Sequence, residues 1–194
     1  DVNQVEMPDA FLLTGNVRVN HDGVVMTCNK AYYFQKENYI KAFGNVQMVQ
    51  GDTLFLNSKY AEYNGNVKKA YASGDAVMSS PDATLETEII NFDRNTQEVY
   101  YDTSGIITNK DNTLKSNSGK YYVNRKKFQF LTAVTITNPT YVIKSNHLDY
   151  FSNSGHSYLL GPSTITSKAN YIYTEKGFYD TKKNLAYFLN KSYI

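Results

Sequence analysis

The 194-residue chain has no tryptophan, one cysteine, three histidines and four prolines. A single cysteine excludes an intramolecular disulfide and leaves the redox compartment open. Cys28 reads as a small buried apolar residue on a strand. His21, His147 and His156 show neither His-x-x-x-His spacing nor a cysteine partner, so no metal site is expected. No apolar run approaches the roughly 20 residues of a membrane-spanning helix, so no transmembrane segment is expected in this chain. Asp1 opens no charged-then-apolar leader. Charge of one sign is also missing: 20 Lys and Arg against 18 Asp and Glu leave +2, too little for long-range steering. The basic residues do not gather with aromatics into a stripe, which argues against a nucleic-acid partner. Helical periodicity is missing too.

What is present is aromatic and repetitive. Tyr (18) and Phe (10) are abundant, and such residues favour strands. The stretch Leu56-Asn57-Ser58-Lys59-Tyr60-Ala61-Glu62-Tyr63 sets a pattern of an apolar residue, a small polar residue two places on and an aromatic seven places on. It recurs at Leu85-Thr87-Phe92, Leu114-Ser116-Tyr121, Ile143-Ser145-Tyr150 and Ile172-Thr174-Tyr179, with a weaker copy at Thr27-Asn29-Phe34. First positions 27, 56, 85, 114, 143 and 172 are each 29 apart. A fixed period of this length marks stacked repeats. Between the copies runs a looser phrase: Leu13-Thr14-Gly15-Asn16-Val17-Arg18-Val19, then Ala42-Phe43-Gly44-Asn45-Val46-Gln47-Met48. Weaker versions lie around Gly74, Gly105 to Ile107, Thr132 and Gly161, with steps of 29, 30, 31, 27 and 29 from Gly15 onward.

Residues 1–9 read as a lead-in and 10–194 as one repeat domain that ends mid-repeat. Turn signals such as Gln35-Lys36-Glu37-Asn38 and Asn64-Gly65-Asn66 separate about thirteen strands of roughly eight to eleven residues. Two strands and two tight turns use up each repeat, so neighbours are antiparallel, because a parallel pair needs a long crossover. Alternate residues of the looser strands form apolar rows: Phe11, Leu13, Gly15, Val17, Val19; then Ile40, Ala42, Gly44, Val46, Met48; then Ala70, Ala72, Gly74, Ala76, Met78. Phe128, Phe130, Thr132, Val134, Ile136 and Leu159, Gly161, Ser163, Ile165 continue them. One buried face and one wetted face follow. Glycine recurring in mid-strand predicts a crease at the same place in every repeat. The fold class expected is all-β: an elongated, V-shaped antiparallel sheet of about six 29-residue two-strand repeats with the apolar rows inside. Leu56, Leu85, Leu114, Ile143 and Ile172 should form one ladder, and Ser58, Thr87, Ser116, Ser145 and Thr174 a polar one. The aromatics have the opposite parity, and either face outward or sit past a bulge.

Reactive chemistry is sparse. Glu86 and Glu88 read as a solvated face rather than a buried acid pair. Turns such as Lys110-Asp111-Asn112 lack the acids of a calcium loop. Gly15-Asn16 and Gly44-Asn45 lie inside strands, so they are no phosphate cradle. No catalytic residue, cofactor or enzymatic activity is expected. The interior remains as candidate site: either its side chains fill a dry core, or the small residues Ala42, Ala70, Ala72, Gly74 and Ala76 leave a trough for acyl chains, at roughly 0.8 kcal/mol per buried CH₂. Its candidate lining includes Leu13, Ile40, Ile107 and Phe130 with the ladder Leu56, Leu85, Leu114, Ile143 and Ile172.

The phrases Thr14-Gly15-Asn16-Val17-Arg18-Val19 and Phe43-Gly44-Asn45-Val46-Gln47-Met48, each followed by a strand of the strict pattern, resemble the OstA-like lipopolysaccharide-transport family over about residues 10 to 190. The resemblance implies a taco-like antiparallel β-jellyroll in the periplasm, its leader removed. It implies a hydrophobic interior that carries lipopolysaccharide or a related glycolipid towards the outer membrane. It also implies assembly with other lipopolysaccharide-transport proteins, or with itself head to tail, through edge strands. Carried over by position, Val17, Val19, Val46, Met48, Met78, Val134, Ile136 and Ile165 line the trough. Thr132 in place of the mid-strand glycine and Pro162 after Gly161 depart from the pattern.

Three functions stand side by side. A lipid conduit predicts uptake of an amphiphile. A structural repeat, such as a surface fibre or adhesin stalk, predicts a dry core and no ligand. A carbohydrate-active β-helix requires parallel coils and an acid/base cluster that the sequence does not provide.

Overall fold

The computed structural model describes residues 9–21, 23–52, 54–81, 83–180, 182–183 and 185–193. The expected lead-in, 1–9, lies outside them apart from Asp9. The strands are β1 (Phe11–His21), β2 (Val24–Phe34), β3 (Tyr39–Gln50), β4 (Leu54–Asn64), β5 (Lys69–Ser79), β6 (Thr84–Asp93), β7 (Glu98–Tyr101) and β8 (Gly105–Asn109). They continue with β9 (Asn112–Ser116), β10 (Ser118–Tyr122), β11 (Lys127–Thr137), β12 (Tyr141–Phe151), β13 (His156–Ser167), β14 (Tyr171–Asp180) and β15 (Leu185–Tyr193). The fold is all-β and antiparallel, as the meander of tight turns requires. The 15 segments exceed the expected thirteen because two strands are cut in mid-course, at 102–104 between β7 and β8 and at Asn117 between β9 and β10. Among the described residues the one helical turn is a short 3-10 turn, Val123–Arg125, at a hairpin tip.

The chain forms two compact units: residues 1–81 with 86–96, and 82–85 with 97–194. In the first, β1 to β5 pair in chain order, and every pairing slips register at one level: Thr14/Val17, Thr27/Lys30, Phe43/Val46 and Asn57/Tyr60. In the second, β11 to β15 repeat the arrangement, with slips at Leu131/Val134, Ser145/Leu148, Leu160/Ser163 and Thr174/Lys176. An extra residue on one strand of a pair bends it and sharpens its twist. Repeated at one level, these bulges crease the sheet.

The backbone at the crease explains the sequence phrase. Gly44 and Asn45 take φ of 71° and 48°, and Gly74 and Asp75 take 79° and 50°. Two successive left-handed residues turn the strand. Glycine is favoured for the first because a Cβ on Gly44 would meet the Asn29 side chain at 2.9 Å, and one on Gly74 would meet Lys59 Cβ at 2.9 Å. In β11 the same place is held by Thr132 and Ala133 at 61° and 53°, with no glycine.

The hairpin tips beyond the crease are equally regular. Each four-residue turn ends on a left-handed residue: Asn38, Lys68, Gln97, Lys126 and Gly155. In the first unit the carbonyls of Asn38 and Lys68 accept the amides of Gly65 and Arg94 at 2.8 and 2.9 Å, so one turn stacks on the next. In the second, Gln97 and Lys126 accept from Val123 and Ser152, both at 3.0 Å. Turn amides, among them that of the buried Gly65, thereby find partners.

Asn38 and Lys68 stand 30 apart, whereas Lys68, Gln97 and Lys126 are 29 apart. The first repeat is thus one residue longer than the strict period. Its true counterparts of Leu56, Ser58 and Tyr63 are Met26, Cys28 and Tyr33 rather than Thr27, Asn29 and Phe34. Pairing agrees: Met48 lies opposite both Met26 and Leu56.

Candidate functional site

Within each unit one face of the sheet is buried on both sides of the crease. In β4 the buried set is Leu54, Leu56, Ser58, then Ala61 and Tyr63, a change of parity across the bulge. This settles the aromatics: Tyr63, Phe92 and Tyr121 sit past the crease and face inward, buried. A one-layer sheet buries a face on both halves only if it doubles over and the halves cover each other. In the first unit the rims meet: the His21 ring lies 5.5 Å from that of Tyr63, and Arg94 donates to Gln50 Oε1 at 3.4 Å and to the Tyr63 hydroxyl at 2.9 Å. His21 and Gln50 end strands on one side of the crease, while Tyr63 and Arg94 lie on the other.

The corner itself is lined by small residues. In the first unit Ala31, Ala42, Ala61 and Ala72 pair directly, strand to strand, and each is 0% exposed. Their size suits the narrow angle where the halves converge, not an open trough. In the second unit Gly119 and Gly105 play this part beside Tyr101, where a Cβ on Gly105 would fall 2.6 Å from a ring carbon and one on Gly119 2.6 Å from the phenol oxygen. Burial pushes the Tyr101 phenol up to about 12, and its oxygen lies 2.5 Å from Ser116 Oγ.

The polar ladder has a local task. Ser58, Ser116, Ser145 and Thr174 each donate to the carbonyl two residues on, at 2.9, 3.1, 3.0 and 2.8 Å. Those carbonyls stand at the bulge, where the regular ladder is interrupted, so a short hydroxyl provides the missing donor. Cys28 does the same in the first repeat, its thiol 3.3 Å from the Lys30 carbonyl. Burial raises its pKa, while hydrogen bonds from the Phe43 and Lys30 backbone work in the opposite direction. In the second unit the Ser145 and Ser163 hydroxyls lie 2.9 Å apart, as do those of Thr174 and Ser192.

Further from the corner the interior is apolar. In the first unit Val19, Met26, Met48, Leu56 and Met78 pair directly across successive strands. Met26 was hidden by the assumed 29-residue step. Val17, Ile40 and Val46 are also buried, with Val46 at 1% and Met78 at 2% exposure, and Leu13 is half-buried. In the second unit the row reads Ile107, Leu114, Ile136, Ile143, Ile165 and Ile172, again by direct pairing. Leu85, Phe130 and Val134 are buried beside it. Along this row Ile107, Leu114 and Ile143 are buried, whereas Ile136, Ile165 and Ile172 are half-buried. Next comes β15, whose Leu185, Tyr187, Leu189 and Tyr193 are exposed.

Titratable groups sit mainly on the outer face. Lys127 and His147 hold Asp149 at 2.7 and 3.0 Å, and Lys120 holds Glu98 at 3.0 Å. Glu62 accepts from Tyr39 and Tyr60. Among the described residues no three of His, Cys, Asp and Glu gather to hold a metal ion, and no helix is long and apolar enough to cross a membrane.

Such a protein is a creased, antiparallel repeat sheet whose distinctive feature is an apolar interior. The chain belongs to the OstA-like protein family, whose model matches residues 1–146. Among solved structures it is similar to LptH of Pseudomonas aeruginosa, described as the LptA-homologous periplasmic component of a lipopolysaccharide transport device. Identity is 13% and the TM-score 0.47, over 51% of this chain and 76% of that one. No curated protein matches.

Proposed function

We propose that the chain is a non-enzymatic, periplasmic carrier that holds the acyl chains of lipopolysaccharide or a related glycolipid in its creased interior and passes them towards the outer membrane. The observation that carries this reading is the unbroken pairing of apolar side chains from strand to strand, Val19 to Met78 in one unit and Ile107 to Ile172 in the other. Such rows present apolar surface along the stacking direction, which suits long alkyl chains at roughly 0.8 kcal/mol per buried CH₂. Methionine supports it further, because a flexible thioether side chain adapts to a ligand. Family membership supports transport over catalysis. Pairing through edge strands with another transport protein or a second copy belongs to the same reading, since strand addition is a standard mode of recognition.

A structural stack with a dry core is favoured by one observation, the complete burial of Ala31, Ala42, Ala61 and Ala72. Native mass spectrometry of the protein purified from an outer-membrane-bearing host separates the two. The carrier reading expects a glycolipid mass adduct; protein that is empty under every gentle condition supports the structural stack.

A further inference from the structure

The rims of the first unit carry a cation where the apolar row ends. Gln50 lies two residues beyond Met48, and His21 two beyond Val19, so both continue the inward columns. Two residues of strand span about 7 Å. Opposite them stand Tyr63, buried, and Arg94, partly exposed, its guanidinium 6.0 Å from the Tyr63 ring centre and bonded to Gln50 and Tyr63. The arrangement is amphiphilic: apolar side chains, then about 7 Å higher a guanidinium fork spanning the rims.

We propose that Arg94 is the headgroup site of this interior and takes the phosphate-type anionic head of an amphiphile whose acyl chain lies along Val19, Met26, Met48, Leu56 and Met78. The assignment rests on the carrier reading and adds the charge of the head. A guanidinium matches a phosphate with two parallel hydrogen bonds. Two of the groups it meets, the Gln50 amide oxygen and the Tyr63 phenol, are neutral, and hydrogen bonds to ionised acceptors are shorter and roughly twice as strong. A phosphate therefore competes with them for the fork.

The test is calorimetric titration of the whole chain with dodecyl phosphate, dodecyl maltoside and inorganic phosphate, the detergents below their micellar concentrations. Wild type is expected to bind dodecyl phosphate about tenfold more tightly than dodecyl maltoside, the gain of one charge-assisted bond. Arg94→Gln should reduce that preference to about one while dodecyl maltoside binding stays within about twofold. Arg94→Lys, which keeps the charge, should retain a preference of about threefold and guards against loss of the fold in the glutamine variant. An unchanged preference in Arg94→Gln, or none in a folded Arg94→Lys, overturns the assignment. Inorganic phosphate binding as tightly as dodecyl phosphate also overturns it, as that marks a free-anion site. Binding of neither detergent by wild type removes the carrier reading itself along with the assignment.

Discussion

Exchanging residues between equivalent crease positions gives opposite effects on stability. Thr132 sits at φ 61° where β3 and β5 have Gly44 and Gly74. For an L-residue the left-handed region costs about 1–2 kcal/mol, and β-branching makes it worse. Thr132 is exposed, so its side chain contributes little packing. Thr132→Gly removes that strain but adds unfolded-state entropy of about 0.5–1 kcal/mol. The net gain is about 0.5–1 kcal/mol. Gly44→Thr adds the same strain and drives a Cβ to 2.9 Å from Asn29 Nδ2, for a loss of about 1–2 kcal/mol. In urea melts followed by circular dichroism, with m of about 2 kcal/mol/M, the midpoints should move up by about 0.3–0.5 M and down by about 0.5–1 M. A destabilised Thr132→Gly variant would refute a crease built on paired left-handed residues.

Other outcomes follow from single contacts. Tyr101 has a folded pKa of about 12 against an ordinary 10. Its contribution is whole below pH 10 and lost as pH rises through about 12, about 2–3 kcal/mol in all. Urea midpoints between pH 9 and 12 should therefore fall more steeply in wild type than in Tyr101→Phe. Cys28 should resist alkylation until the chain unfolds, and Cys28→Ser, which keeps a donor for the Lys30 carbonyl, should stay within about 1 kcal/mol of wild type. Ser58→Ala removes the donor at the crease and should cost about 1–2 kcal/mol, read from the same melts. Met78→Ala, opening a cavity at a side chain 2% exposed, should cost about 2–4 kcal/mol.

The strict strands were legible because alternation and a fixed step leave little freedom. The apolar ladder Leu114, Ile143, Ile172 falls where expected, joined by Ile107, Ile136 and Ile165 from the looser strands. Four features were not legible. Parity reverses across a bulge, so counting alone leaves Tyr63 and Phe92 between an outward face and a place past a bulge. The first repeat holds one residue more, which concealed Met26 and gave Cys28 a plain apolar reading although its thiol does the work of Ser58. The sequence leaves Ala42 and Ala72 between a dry core and a trough, whereas direct pairing with Ala31 and Ala61 at zero exposure sets them in the corner. The rim contact of His21, Gln50, Tyr63 and Arg94 had no sequence signal, because those residues belong to different strands and turns and meet only when the sheet doubles over.

The interior itself is tested most directly by a photo-reactive amino acid placed on either face of one strand. With Met48 and Ile143 facing in and their neighbours Gln47 and Lys144 exposed, the account predicts glycolipid adducts in cells from positions 48 and 143 and none from 47 and 144. Equal capture from both faces, or none from inside, would contradict it.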